Sequence, residues 1–204
     1  MSGVKLYISG VSGVGKTTLA EQISKELEIP FIVGSSKVLW RKHNIVSHKD
    51  LIQKCNNDSK FAMDFQLELL EYRKEAVKGL NSFVTDRSPL DNLVYFMLQV
   101  SQQVSADETM AYIKACKETY PTESYGHLHL GMDYKMALEI PLENDGFRIT
   151  NVYYQLMVQN MFHMCLNHNW LDIKNLYGVT TWDREQRNRV LHNLINKVCE
   201  DKKS

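Results

Sequence analysis

Cysteine is scarce in this chain and never closely spaced. Its four residues, Cys55, Cys116, Cys165 and Cys199, lie far apart and form no C-x-x-C pair. That spacing argues against a disulfide framework or a structural zinc site and fits reduced thiols in a cytoplasm. Net charge is missing too: 24 Lys+Arg balance 24 Asp+Glu, for a formal charge of +0. The whole molecule offers no attractive field to a polyanion, so such a partner must meet a local basic patch. No stretch approaches the ~20 apolar residues of a membrane span. At the start of the chain no basic segment leads a hydrophobic one, and strand-like residues begin at once. Internal repeats and low-complexity segments are also lacking. These absences lead to the expectation of a soluble, cytoplasmic protein with no membrane partner.

The 204 residues, 44% of them hydrophobic, suffice for one α/β domain over 1–204. Short apolar runs alternate with longer helix-period segments, the pattern of a parallel sheet covered on both faces. Strands are expected at 4–9, 30–33, 83–85, 135–140 and 173–179. Helices are expected at 17–27, 50–55, 60–78, 90–103, 106–120, 153–167 and 183–199. The stretch 101–125 is long for a crossover and carries no readable motif.

Gly10-Val-Ser12-Gly13-Val14-Gly15-Lys16-Thr17 matches G-x-x-x-x-G-K-[ST], with Thr18 following. Its context is an apolar strand before it and a helix after it. Glycines let the backbone wrap around phosphates so that successive N–H groups point inward as an anion nest. The helix opening at Lys16 adds its positive end. Lys16 is placed to reach the β- and γ-phosphates of ATP, and the Thr17 hydroxyl to ligate Mg²⁺.

A second signal is Phe83-Val84-Thr85-Asp86-Arg87, where apolar residues end in a carboxylate at a strand tip. In open α/β sheets ligands bind at that edge. Asp86 either binds Mg²⁺, directly or through water, or merely caps the helix that Ser88-Pro89 begins. Arg87 is a candidate phosphate contact.

Asp86-Arg87-Ser88-Pro89-Leu90-Asp91, with Tyr95-Phe96 beyond, resembles the Asp-Arg or Glu-Arg-Ser motif of P-loop nucleotide and deoxynucleoside kinases. Thymidylate kinases carry a similar segment. The preceding helix holds Phe65-Gln66 and Arg73. It is similar to the Phe-Gln of deoxynucleoside kinases, whose glutamine amide reads the base edge. Asp145-Gly146-Phe147-Arg148 is similar to the lid segment of phage-type deoxynucleotide kinases and the nicotinamide-riboside-kinase-like group. The resemblance implies a lid near 141–151 whose Arg148 closes over the transferring phosphoryl group.

There are departures from this resemblance. Deoxynucleoside kinases keep a glutamate after strand 2, followed by a tryptophan, and that glutamate deprotonates the sugar hydroxyl. Here the stretch is Gly34-Ser-Ser-Lys37-Val-Leu-Trp40, with the tryptophan but no carboxylate. A phosphate monoester acceptor is already anionic and calls for cations instead. Lys37, Arg41 and Lys42 supply them around Trp40, which is suited to stack on a base. Asp64 and Asp91 remain as alternative bases from other elements.

Other features are blander. Arg184, Arg187 and Arg189 follow the last strand, where the resemblance places the adenine, but with Asp183 and Glu185 they read more simply as a solvated face. His127 and His129 share one side of an extended segment, yet no cysteine or third histidine lies near them in sequence to complete a metal site. Met157, Met161 and Met164 recur at helical spacing and read as core.

The fold class expected is α/β, a P-loop NTPase three-layer sandwich. Its five-stranded parallel sheet is ordered 2-3-1-4-5, with helices on both faces and a mobile lid. The activity expected is transfer of the ATP γ-phosphoryl to a nucleotide-like acceptor, a deoxynucleoside monophosphate or nucleoside, with Mg²⁺ as cofactor. One alternative acceptor is a hydroxymethylated pyrimidine within DNA, which would have to leave its stack. Another class of reading is a nucleotide-binding switch with no acceptor. A homodimer is compatible with all three.

Overall fold

The computed structural model describes residues 3–121, 125–139 and 151–180, together with 185, 186, 189, 190, 192, 193 and 196. Five strands, β1 (Lys5–Gly10), β2 (Phe31–Ile32), β3 (Phe83–Thr85), β4 (Gly126–Leu130) and β5 (Leu176–Val179), pair in the order β2-β3-β1-β4-β5. Every pairing is parallel. The central β1 and β3 are buried on both sides, so their apolar residues stand at consecutive rather than alternate positions. Leu6, Ile8, Phe83, Val84, Leu128 and Leu130 are at most 2% exposed. Each such side chain contributes about 1.5–3 kcal/mol relative to exposure.

The helices are α1 (Lys16–Leu27), α2 (Lys37–Lys42), α3 (His48–Asn57), α4 (Ser59–Val77), α5 (Pro89–Gln99), α6 (Ala106–Thr119), α7 (Tyr134–Glu139) and α8 (Val152–Asn167). Their starts are legible in side chains. Ser47 accepts from the Asp50 N–H and Asp58 from the Phe61 N–H. Ser88-Pro89-Leu-Asp91 and Ser105-Ala-Asp-Glu108 form capping boxes, the first with proline at the opening position of α5. The crossover that carried no motif is therefore a 3₁₀ turn at Ser101–Gln103 followed by α6.

The order of strands matches the expectation, but one strand lies elsewhere. The segment expected as strand 4, 135–140, is helical as far as Glu139, and the fourth strand is Gly126–Leu130. Its two histidines disguised it. Both are buried, because Ser9 on β1 hydrogen-bonds His127 Nε2 at 2.7 Å and His129 Nδ1 at 3.0 Å. Met157 is a second correction: it is 53% exposed rather than core. The expected helix 183–199 lies mostly outside the described residues, as do Arg184 and Arg187, whereas Arg189 is exposed. Among the described residues no helix is long and apolar enough to cross a membrane. Cys55, Cys116 and Cys165 are free, buried thiols.

Burial pushes His127 down from an ordinary 6.5 to about 3. His129 falls equally far, through burial first and the neighbouring His127 second. Both are neutral in the folded protein. Between about pH 6.5 and 3 the unfolded chain binds protons that the folded state refuses. Stability is therefore complete above that window and falls as pH drops, by about 1.4 kcal/mol per pH unit for each histidine. Urea unfolding at pH 7 and pH 5 should show this fall, with a shallower slope in His127→Gln. An identical slope in that variant would mean that His127 takes up a proton without unfolding.

Candidate active site

The C-terminal ends of β1, β2 and β3 deliver the site. From β1 the chain enters the glycine loop, where Gly10, Gly13 and Gly15 have φ of 140°, 85° and 87°. These angles suit glycine alone. At Gly10 a Cβ would also lie 2.3 Å from the Leu130 carbonyl oxygen on β4. Ser12, Gly13, Val14 and Gly15 complete the turn, Val14 being buried in the core beneath it. Lys16 opens α1 and folds its ammonium onto its own loop, 2.8 Å from Gly10 O and 2.6 Å from Val11 O. Thr17 and Thr18 are exposed at the helix N-terminus.

Asp86 directly follows β3 and does not cap α5; Ser88 does. Its two carboxylate oxygens instead join the other strand ends. Oδ2 accepts from the Thr17 hydroxyl at 2.6 Å, and Oδ1 accepts from the Gly34 N–H at 2.8 Å. Gly34, which follows β2, is held on its other side by Arg73 of α4, whose Nε and Nη2 donate to Gly34 O at 3.1 and 2.9 Å. Arg73 also donates to Asn92 Oδ1. Burial, and then the neighbouring Arg87, lower the Arg73 pKa to about 10, so it remains charged at neutral pH. Gly34 is required sterically, because a Cβ there would lie 2.4 Å from Arg87 Cβ.

Arg87 donates from Nη1 to Asp91 Oδ1 at 3.0 Å and sits 5.9 Å from the Tyr95 ring centroid. Burial works against its charge, but Tyr95, Asp91 and Asp86 outweigh that cost and raise its pKa. The Asp91 contact is its single hydrogen bond among the described residues, and a guanidinium carries five N–H donors.

A cleft of about 320 Å³ opens beside the loop, with Ser12 and Thr17 at one end. That size falls in the range of small-molecule sites. Trp40 and Gln66 line it, and both are buried. Gln66 is 2% exposed, and its Oε1 has no hydrogen-bond partner. It is therefore not a surface residue of α4. Arg41, expected among the acceptor contacts, is exposed on α2 and does not line the cleft. Among the described residues Asp86 is the sole carboxylate of the lining, against Lys37, Arg73 and Arg87.

The alternative bases are elsewhere. Asp64 has a side chain 59% exposed and bound by Lys60, while Asp91 is fully buried under Ser88 and Arg87. Arg148 lies outside the described residues, as does the expected lid apart from Asn151, which caps α8. His127 and His129 spend their ring nitrogens on Ser9, Tyr120 and Gln159. Among the described residues no cluster of three His, Cys, Asp or Glu forms a metal site.

Asn92, Tyr95 and Gln99 line the cleft without having been singled out for it from sequence. Their spacing on α5 is i, i+3, i+7, a polar stripe on a helix whose one other polar residue, Asp91, belongs to the capping box. That stripe was the available signal. His48 and Tyr154 join them, since Gln99 Nε2 bonds His48 Nε2 at 3.2 Å and Tyr154 Oη at 3.1 Å.

A phosphate loop between β1 and α1, facing a carboxylate and an arginine at the tip of β3 in a 2-3-1-4-5 sheet, defines a P-loop phosphotransferase. The sequence profile of the deoxynucleoside kinase family matches residues 6–150, and the chain belongs to that family. Among solved structures it is similar to deoxyadenosine kinase from M. mycoides with products dCMP and a flexible dCDP bound. The TM-score is 0.67 at 18% identity, covering 96% of this chain and 100% of that one. It is similar also to thymidylate kinase from Candida albicans, with a TM-score of 0.65 at 16% identity over 96% and 92% of the two chains. A third similar structure is NadR protein in complex with NR, with a TM-score of 0.57 at 15% identity over 90% of this chain and 46% of that one. At these identities the similarity is one of fold. No curated protein matches the chain in sequence.

Proposed function

We propose that this kinase transfers the γ-phosphoryl group of ATP to a deoxynucleoside monophosphate. The observation that carries the reading is the charge balance of the acceptor cleft. A sugar hydroxyl needs a base, and the one carboxylate among the described lining residues, Asp86, is engaged by Thr17 and Gly34. A phosphate acceptor needs cations, and Lys37, Arg73 and Arg87 supply three.

The roles follow from position. The loop N–H groups and Lys16 hold the donor phosphates and neutralise charge developing in transfer. Thr17 Oγ1 and the Asp86 carboxylate present hard oxygen donors beside the loop, a set that fits Mg²⁺. Thr17 and Asp86 would hold the ion, which would supply positive charge against the donor phosphates. Arg87, anchored at one end by Asp91, directs its remaining donors to the acceptor phosphate, as a planar guanidinium does well. Trp40 offers an aromatic wall for the base. The unpartnered Gln66 amide oxygen offers it a polar edge.

An ATP-consumption screen across deoxynucleosides, their 5′-monophosphates and DNA with hydroxymethylated pyrimidines tests the proposal. Stimulation is expected with a monophosphate. Stimulation by nucleosides alone, by DNA alone or by no acceptor would overturn it.

A further inference from the structure

Gly34 lies past the point where strand pairing ends. The β2–β3 ladder stops at Ile32 opposite Thr85, and β2 is a two-residue strand at the edge of the sheet. Glycine has the least restricted backbone of any residue, so the ladder alone does not fix the direction of its N–H. That N–H nevertheless points at Asp86 Oδ1, 2.8 Å away. The restraint on the other side of Gly34 is a single side chain. Arg73 Nε and Nη2 both donate to Gly34 O, at 3.1 and 2.9 Å, and a rigid planar fork sets the direction of the carbonyl as well as its distance.

Arg73 has little freedom of its own. It projects from α4, and its Nη1 donates to Asn92 Oδ1 on α5, so the guanidinium is pinned between two helices. Three of its five N–H donors are spent in this way. The partners are neutral oxygens, so these contacts fix geometry rather than cancel charge. Beyond Gly34 the consequence falls on Asp86. With Oδ1 held by the Gly34 N–H, the plane of the carboxylate is set and Oδ2 is left facing the Thr17 hydroxyl at 2.6 Å.

We propose that Arg73 is a positioning residue for the metal carboxylate: it holds the Gly34 N–H on Asp86 Oδ1 and so keeps Oδ2 beside Thr17 for Mg²⁺. From Arg73 through Gly34 and Asp86 to Thr17, every link is a hydrogen bond of 2.6 to 3.1 Å. The inference rests on Asp86 and Thr17 holding the ion. Sign separates it from a plain effect of charge. A nearby cation repels a metal ion, so on charge alone removing Arg73 would strengthen Mg²⁺ binding. Positioning demands the reverse.

The test is calorimetric binding of the β,γ-imido analogue of ATP, which is not turned over, with and without Mg²⁺ and without acceptor. The ratio of the two affinities reads the contribution of the metal. Arg73→Gln and Arg73→Lys should each lower that ratio about fivefold, the worth of one net buried hydrogen bond. Lysine keeps the charge but not the fork, so it should not rescue. In an Asp86→Asn background Arg73→Lys should lower the ratio no further. A ratio that rises in Arg73→Gln, stays at the wild-type value in Arg73→Lys, or falls undiminished in the Asp86→Asn background would overturn the inference. A merely structural role would lower the unfolding temperature and leave the ratio alone. Should Arg73→Gln fail to fold, Arg73→Lys decides by itself. Asp86→Asn alone with a wild-type ratio would instead remove the metal reading, and this inference with it.

Discussion

Lys16→Ala should abolish phosphoryl transfer while leaving the fold in place. Lys16 is 6% exposed, and its ammonium is held 2.8 and 2.6 Å from the carbonyls of Gly10 and Val11. It is thus stored against the loop that receives the donor phosphates. Transfer spreads negative charge over the oxygens of the moving group, and a fixed cation in a desolvated site stabilises that charge more than it stabilises bound ATP. Losing one such contact costs on the order of 10²–10³ in kcat. The fold does not depend on it, because α1 is anchored through Leu19, Ala20 and Ile23. Turnover at saturating ATP, measured beside the circular dichroism of the variant, is the check. Near-normal kcat would mean that the loop does not hold the transferring phosphate.

The sheet and the loop were legible because their chemistry is local. A buried parallel strand is apolar at consecutive positions, as Leu6-Tyr7-Ile8 of β1 and Phe83-Val84 of β3 are. The glycine spacing between Gly10 and Thr17 has few other uses. What escaped depends on partners distant in sequence. The Gly126–Leu130 strand carries two histidines, and only the placement of Ser9, Tyr120 and Gln159 makes them acceptable in a core. The segment 135–140 offers the consecutive apolar run Met136-Ala137-Leu138, yet from Lys135 to Glu139 it belongs to α7.

The site divides in the same way. Asp86 and Arg87 stood out because they end a strand. Trp40 and Gln66 entered through resemblance, and the structure brings both to one cleft. Arg41, adjacent to Trp40, does not join them: successive residues of a helix point about 100° apart, and burying Trp40 turns Arg41 outward. The polar face of α5 was in view as Asn92, Tyr95 and Gln99, but its meaning required knowing which side of α5 faces α4 and α8. Gly34 gave no signal, because its necessity is the approach of Arg87 from another element.

The second large effect concerns Arg87, and it supplies the most direct test of the central claim, that the acceptor is already a phosphate monoester. Arg87 lines the cleft, is held charged, and makes one hydrogen bond among the described residues. A charge-assisted pair with a phosphate should therefore dominate acceptor affinity. The measurement is a calorimetric titration, without ATP, of a deoxynucleoside and its 5′-monophosphate into the wild-type protein and Arg87→Ala. The wild-type protein should bind the monophosphate on the order of 10- to 100-fold more tightly than the nucleoside, as charged hydrogen bonds allow. In Arg87→Ala that preference should shrink to a few-fold while nucleoside affinity stays the same. A wild-type protein that binds the nucleoside as tightly as the monophosphate, with Arg87→Ala changing neither, would contradict the account.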